Sequence, residues 1–470
     1  MNSSRRSPFE YLRLGLIGIL VGSTVCIAGC GHRHVDASQV VAPGQTQAIA
    51  PLSADDVSLL FPAPTRAEDF ANLIAVQDLA APDPQDPTKR DPVWSDAVFQ
   101  QFITIANSSS SQVAGTQVGI GLPAEAKSIR AWFIAGIRID AGAPGLSNDI
   151  IGQFGQSPEI RLIIQPVTRN ADGTPKVDDI AGHLIFDFLI GADAPAHADC
   201  LLRPKPDLDK LHAIVADLAA LRTKLSNGQL GADKVSTAGL PLGVHPGLTH
   251  ATTASNFRQE IKTFLERYIS AQRLDAMAIA GLPSGQPEPW IFLSMRNVSG
   301  TVLGVHGPAL DGIQFAQMLE RGGPGFEVIP APHTNNLNPI TCSNAAVSAT
   351  SIPIPKRLGD ATADVFASPV PPPDKAKEIL DVIADPTKSH FFNTDCVSCH
   401  TETQRTITVL KPANIPGIDL AALPKSSWNV RNFGWSPAGG LQATVTRRTA
   451  DETAAVLMFI NSRVLPRKQD

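Results

Sequence analysis

The chain has no glycine-rich dinucleotide fingerprint and no phosphate-binding loop, so nucleotide-dependent chemistry finds no signature in it. No serine stands in a strand-to-helix nucleophile pattern, which removes the simplest acyl-transfer reading. An excess of positive charge is missing: 39 Lys and Arg face 44 Asp and Glu, for a net charge of −5. That balance argues against nucleic-acid binding. No internal repeat is evident, and no further membrane-length apolar run follows residue 30. Cysteine is scarce, with six in 470 residues, so each one can be followed individually.

The first of these cysteines lie in an export signal. Arg5 and Arg6 give a short basic region, and Leu12 to Ala28 is an apolar run interrupted by Arg13. The run ends in Ile27-Ala28-Gly29-Cys30, which resembles a lipoprotein cleavage box. The resemblance implies cutting before Cys30 and lipid on Cys30, with an ordinary secretory signal as the alternative. Gly31 follows where lipoproteins retained at the inner membrane carry aspartate, which implies an outer-membrane, periplasm-facing location. Residues 1–29 are therefore a signal peptide and 30–50 a flexible tether. Cys26 leaves with the signal.

What remains exceeds one typical domain and is 43% hydrophobic, enough for a sizeable core. The 39 prolines exceed average usage and point to long irregular connections. The chain divides at Ala367-Ser368-Pro369-Val370-Pro371-Pro372-Pro373, which can continue neither a helix nor a central strand and reads as a stiff linker over 367–373.

Upstream, residues 51–366 mix strand and helix patterns. Ile129 to Ile139, Glu159 to Val167, His183 to Leu189 and Trp290 to Met295 read as strands, the middle two joined through Asn170-Ala171-Asp172-Gly173. Leu208, Leu211, Val215, Leu218, Leu221 and Leu225 recur at helical spacing, as do Phe257, Ile261, Phe264, Leu265 and Tyr268. The expected fold is an α+β domain. His183 reads as a core or edge histidine. His245 and His250, five apart, suit neither a helix face nor a strand face as metal ligands.

Downstream, Cys396-Val397-Ser398-Cys399-His400 is the one chemical signature of the chain. Residues three and four apart share a face of a helical turn, so both thiols can reach one porphyrin edge. His400 follows directly and can offer an imidazole nitrogen to the iron. Asp374 can cap a helix bearing Ile379, Leu380, Val382 and Ile383 that Pro386 ends. Thr449-Ala450-Asp451-Glu452 reads as a capping box opening a last helix.

Asp374 to Val464 resembles a small monohaem c-type cytochrome domain. The resemblance implies an all-α haem domain over 374–470, with haem c bound through Cys396 and Cys399 and His400 as proximal ligand. Phe391, Phe392, Trp428, Phe433 and Trp435 are candidate haem walls. The usual methionine from the intervening loop is absent, since Thr401 to Leu457 holds neither methionine nor histidine. Met458, His390, His333, Lys411, Lys425 and an open position stand as alternatives for the sixth ligand. Cys200 and Cys342 are left over, as a disulfide pair or as two buried thiols.

Three functions follow. A lipid-tethered cytochrome would pass single electrons to a partner protein. A haem-dependent oxidoreductase would bind substrate on the large domain. A structural envelope lipoprotein would carry a mere dithiol. The first rests on the only motif with chemistry of its own.

Overall fold

Strand-forming residues in alternation build one large antiparallel sheet. Its strands are β1 (Ser58–Leu60), β2 (Trp132–Ala143), β3 (Ser157–Arg169), β4 (Ala181–Asp187), β5 (Leu274–Gly281), β6 (Trp290–Val298), β7 (Gln317–Glu320) and β8 (Glu327–Ile329). Spatial order follows chain order, and every neighbouring pair is antiparallel. Short strands Pro175–Val177 and Thr301–Gly304 pair beside β3 and β6.

The computed structural model describes residues 51–83, 85–86, 88–107, 111–113, 116–193, 203–282, 290–298, 301–304, 317–320, 327–329, 373–390, 394, 396–426 and 429–465. Cys30, Cys200, Cys342, His333, Phe391, Phe392, Trp428 and residues 367–372 lie outside this set. Among the described residues no helix is long and apolar enough to cross a membrane.

The α+β expectation holds. The principal helices are α1 (Asp96–Asn107), α2 (Leu208–Ser226), α3 (Ala254–Tyr268), α4 (Pro373–Ala384), α5 (Cys396–Arg405) and α6 (Arg447–Phe459). The leucine stripe of α2 is buried at Leu211, Leu218, Leu221 and Leu225, and Gly228 beyond it takes the left-handed φ of 73°. α3 buries Phe257, Ile261, Phe264, Leu265 and Tyr268, as the spacing predicts.

The part after the proline cluster differs from the expected all-α unit. It contains a hairpin, β9 (Phe433–Ser436) with β10 (Gln442–Val445). The hairpin joins the same core as the large sheet, so Ala48–Asp470 forms one compact unit. The buried amide of Gln165 on β3 explains the docking. It donates to the Trp435 carbonyl at 2.8 Å and accepts the Trp435 N–H at 2.6 Å, imitating a strand partner. The Trp435 indole donates to the Phe61 carbonyl at 3.0 Å. Leaving any of these buried groups unpaired would cost about 1–3 kcal/mol. Phe433 and Trp435 thus anchor the hairpin to the sheet.

Gly136 on β2 makes this approach possible. A Cβ there would lie 2.7 Å from the Phe433 ring. Gly136→Ala is expected to lower stability by about 1–3 kcal/mol in a denaturant titration, because a tightly packed ring must shift. An unchanged midpoint would show that the hairpin has slack.

Candidate functional site

α5 opens with the two cysteines, and buried ionic bonds hold the helix in place. Glu402, fully buried, accepts from Arg447 Nε of α6 at 2.8 Å. Arg447 Nη1 reaches Asp381 of α4 at 2.6 Å, so one guanidinium ties three helices together. Thr403 and Thr406 hydroxyls donate to the same Glu402 carboxylate at 2.8 and 2.7 Å. Such a network orients α5 firmly, since removing either partner strands a buried charge.

Cys396 and Cys399 are half-buried and are not joined as a disulfide. Cys396 packs against a small apolar cluster of Ala280, Trp290, Phe292 and Val430. The half-buried His400 lies with its ring centroid 5.0 Å from that of Phe292. Its Nδ1 is 2.7 Å from the Val430 carbonyl oxygen. A carbonyl only accepts, so Nδ1 carries the proton and Nε2 keeps its lone pair. Burial pushes the His400 pKa down to about 4; the bond to Val430 works against that shift and the Arg431 charge adds to it. The imidazole is therefore neutral at pH 7, the form that binds a metal.

Arg431 and Trp290 complete the constellation. Arg431 is 3% exposed and stands over the Trp290 ring, 4.7 Å from its centroid. Arg431 Nη2 donates to Asp179 at 2.7 Å, while its Nε and Nη1 and the indole Nε1 of Trp290 are buried without hydrogen-bond partners. Unsatisfied buried donors are costly and rare, and three in one place call for an acceptor. A haem carries two propionate carboxylates of the required kind. Paired thiols, an imidazole lone pair, an apolar wall and a buried cation with unused donors together suit haem c.

Of the aromatics expected as walls, Phe433 and Trp435 anchor the hairpin, and Phe391, Phe392 and Trp428 lie outside the described residues. The apolar cluster beside Cys396 takes Trp290 and Phe292 from β6, more than a hundred residues before the motif. Their sequence signal was that of a strand, with nothing to announce a place beside Cys396. Arg431 had no signal at all.

Met458 points to solvent. It is 70% exposed, on the side of α6 opposite the buried Thr453 and Val456. Helical geometry separates Met458 from Val456 by about 200°. Lys411 and Lys425 are exposed. His390 is 1% exposed, and burial, followed by the Arg448 charge, pushes its pKa down to about 3. The expected capping role of Glu452 also changes: α6 starts earlier, after Thr446, and Glu452 instead pairs with Arg138 and Arg448.

His245 and His250 do not form a metal pair, and among the described residues no group of three or more His, Cys, Asp or Glu gathers as one. His245 stacks on Phe257 at 4.6 Å, and its Nδ1 accepts the Gly247 N–H at 3.0 Å. Burial lowers its pKa from 6.5 to about 3. Between those values the unfolded chain holds a proton that the folded chain refuses. The stabilisation is complete above pH 6.5 and is lost as pH falls towards 3. The stability gap between wild type and His245→Asn is expected to close by about 1.4 kcal/mol per pH unit over that window. A gap independent of pH would contradict a neutral His245.

No protein-family model, no curated protein and no solved structure matches this chain.

Proposed function

We propose that the protein is an exported c-type cytochrome, tethered by lipid at Cys30 to the periplasmic side of the outer membrane, that passes single electrons to a partner protein. The observation that carries this reading is the protonation pattern of His400. Its Nδ1 proton is committed to the Val430 carbonyl, which leaves Nε2 for iron in a helix whose first turn offers both thiols.

Cys396 and Cys399 would hold the haem covalently, His400 would ligate its iron, and Arg431 with Trp290 would meet a propionate. The bound haem supplies a reversible one-electron couple. The chain's own residues set the conditions for that couple. Trp290, Phe292, Val430 and Ala280 exclude water on one side, which disfavours the extra charge of the oxidised state. The buried Arg431 adds positive charge beside His400 and acts in the same direction. The network centred on Glu402 and Arg447 keeps α5 from moving when the charge changes, which favours fast electron exchange.

The test is expression of the full chain with a haem-maturation system. A c-type absorption spectrum, with haem that stays on the chain after denaturation, is expected. Mature protein lacking the added tetrapyrrole mass would end this reading.

A further inference from the structure

We propose that His183 is the second iron-ligating side chain of this site, facing His400, so that the centre is bis-histidine; the proposal rests on the haem reading above.

The sheet register places it there. Phe292 on β6 pairs with Ala280 on β5, which pairs with Ala181 on β4. The next row on the same face runs Ser294, Ala278, His183. Directly paired residues in an antiparallel sheet share a face, and residues two apart along a strand share it too. His183 therefore rises from the face on which Phe292 meets the His400 ring. It lies two strands and two residues from Phe292, about 12 Å between Cα atoms from standard spacings.

Between His183 and Phe292 the same face carries short side chains, Ala181, Ala278, Ala280 and Ser294. His183, Ala278 and Ser294 are half-buried although their strands lie inside the sheet. On the other side of His183 the face is covered. Phe433 sits on Gly136, and Gly434 comes close to Ile163, the residue paired with His183. His183 thus stands where the strip covered by the hairpin ends, on a face that continues through Ala278 and Ala280 to Phe292.

Two independent features point to a ligand over that face. The buried Arg431 Nε and Nη1 and the Trp290 indole N–H lack partners, and Trp290 lies on the same face, two residues from Phe292. Among the described residues none hydrogen-bonds the half-buried His183 imidazole. Burial acts first on His183, and the charges that bear on it are those of Arg161, His400, Arg138 and Arg431, so the two imidazoles share one electrostatic neighbourhood. The corresponding influence on His390 comes from Arg448 and not from His400.

The full-length, haem-loaded protein provides the test. Pulsed electron paramagnetic resonance of the ferric wild type is expected to count two axial imidazoles, and the ferrous protein is expected to resist carbon monoxide. His183→Ala is expected to keep its covalent haem, become high-spin, and take up carbon monoxide at least about ten-fold faster; added imidazole should restore the low-spin spectrum. His390→Ala should leave both readouts as in wild type. A haem-bearing wild type with one axial imidazole, or a His183→Ala protein with an unchanged spectrum, would overturn the bis-histidine proposal and leave the haem reading standing. Absence of haem from the wild type would overturn both. The imidazole count needs no variant, so a misfolded His183→Ala protein would not shield the proposal.

Discussion

A chain carrying Cys396→Ala and Cys399→Ala together, coexpressed with haem-maturation machinery, is expected to contain no covalently bound haem. The expected effect is all-or-none, because both proposed attachment bonds run through these sulfurs. Each single variant retains one thiol and is expected to give a weaker haem band on a denaturing gel, with the added mass still detectable. Folding should survive. Both side chains are only half-buried, and α5 is held by Glu402, Arg447 and Asp381, none of which touches the thiols' role. Circular dichroism and mass spectrometry on the same sample separate the two questions. Haem remaining on the double variant after denaturation would show that the attachment site lies elsewhere.

Glu452→Ala is expected to destabilise the protein by about 3–5 kcal/mol, a large share of the stability of a typical domain. One carboxylate serves two buried arginines. Its Oε1 accepts from Arg448 Nε at 2.8 Å and Nη2 at 2.6 Å, and its Oε2 meets Arg138 Nη2 at 2.8 Å. Arg138 and Arg448 are 8% and 4% exposed, so neither can recover its hydration when the partner goes. Burial alone would raise the Glu452 pKa, but Arg448, Arg138 and Arg161 outweigh it and hold the carboxyl well below its usual range. Neutralising it by acid therefore takes far lower pH than for a free glutamate. Glu452→Gln keeps the shape and loses the charge. It is expected to recover part of the loss but not all, and a denaturant midpoint for each variant checks this. A change under about 0.5 kcal/mol for Glu452→Ala would mean that the pairing adds nothing to folding.

These two predictions probe separate parts of the molecule. On the proposed reading, the thiols decide whether a cofactor is attached. Glu452 decides whether the segment that bears them stays on the sheet, because it links α6 to β2. A chain that loses haem while keeping its midpoint, beside one that loses stability through Glu452, would show that binding and docking are separable.

Much of the fold was legible locally. The leucine stripe of α2 and the apolar stripe of α3 follow from helical periodicity, and β3, β4 and β6 lie where bulky strand-forming residues cluster. Such patterns act within ten or twenty residues, and a single chain displays them. The boundary at the proline cluster was less informative. Prolines forbid helix and sheet locally but say nothing about whether the next segment packs back. The hairpin β9–β10 does pack back, through Gln165, Phe61 and Gly136, residues separated from it by 270 positions or more. The capping role expected of Glu452 failed for the same reason. Its local context resembles a cap, whereas the charge of Arg138, far earlier in the chain, outweighs that context.

By itself the sequence determined the chemistry on offer: two thiols and a histidine on one helical turn, in a chain without nucleotide or nucleophile motifs. Covalent reach along one turn is a local property, so residue order settles it. Only the tertiary structure decided what surrounds that turn. It aimed the Nδ1 proton of His400 at Val430, brought Trp290 and Phe292 to Cys396, left Arg431 with unused donors, turned Met458 to solvent, and set His183 on the same sheet face as the ring contact of His400. Those outcomes depend on strand register and long-range burial, which no stretch of neighbouring residues encodes.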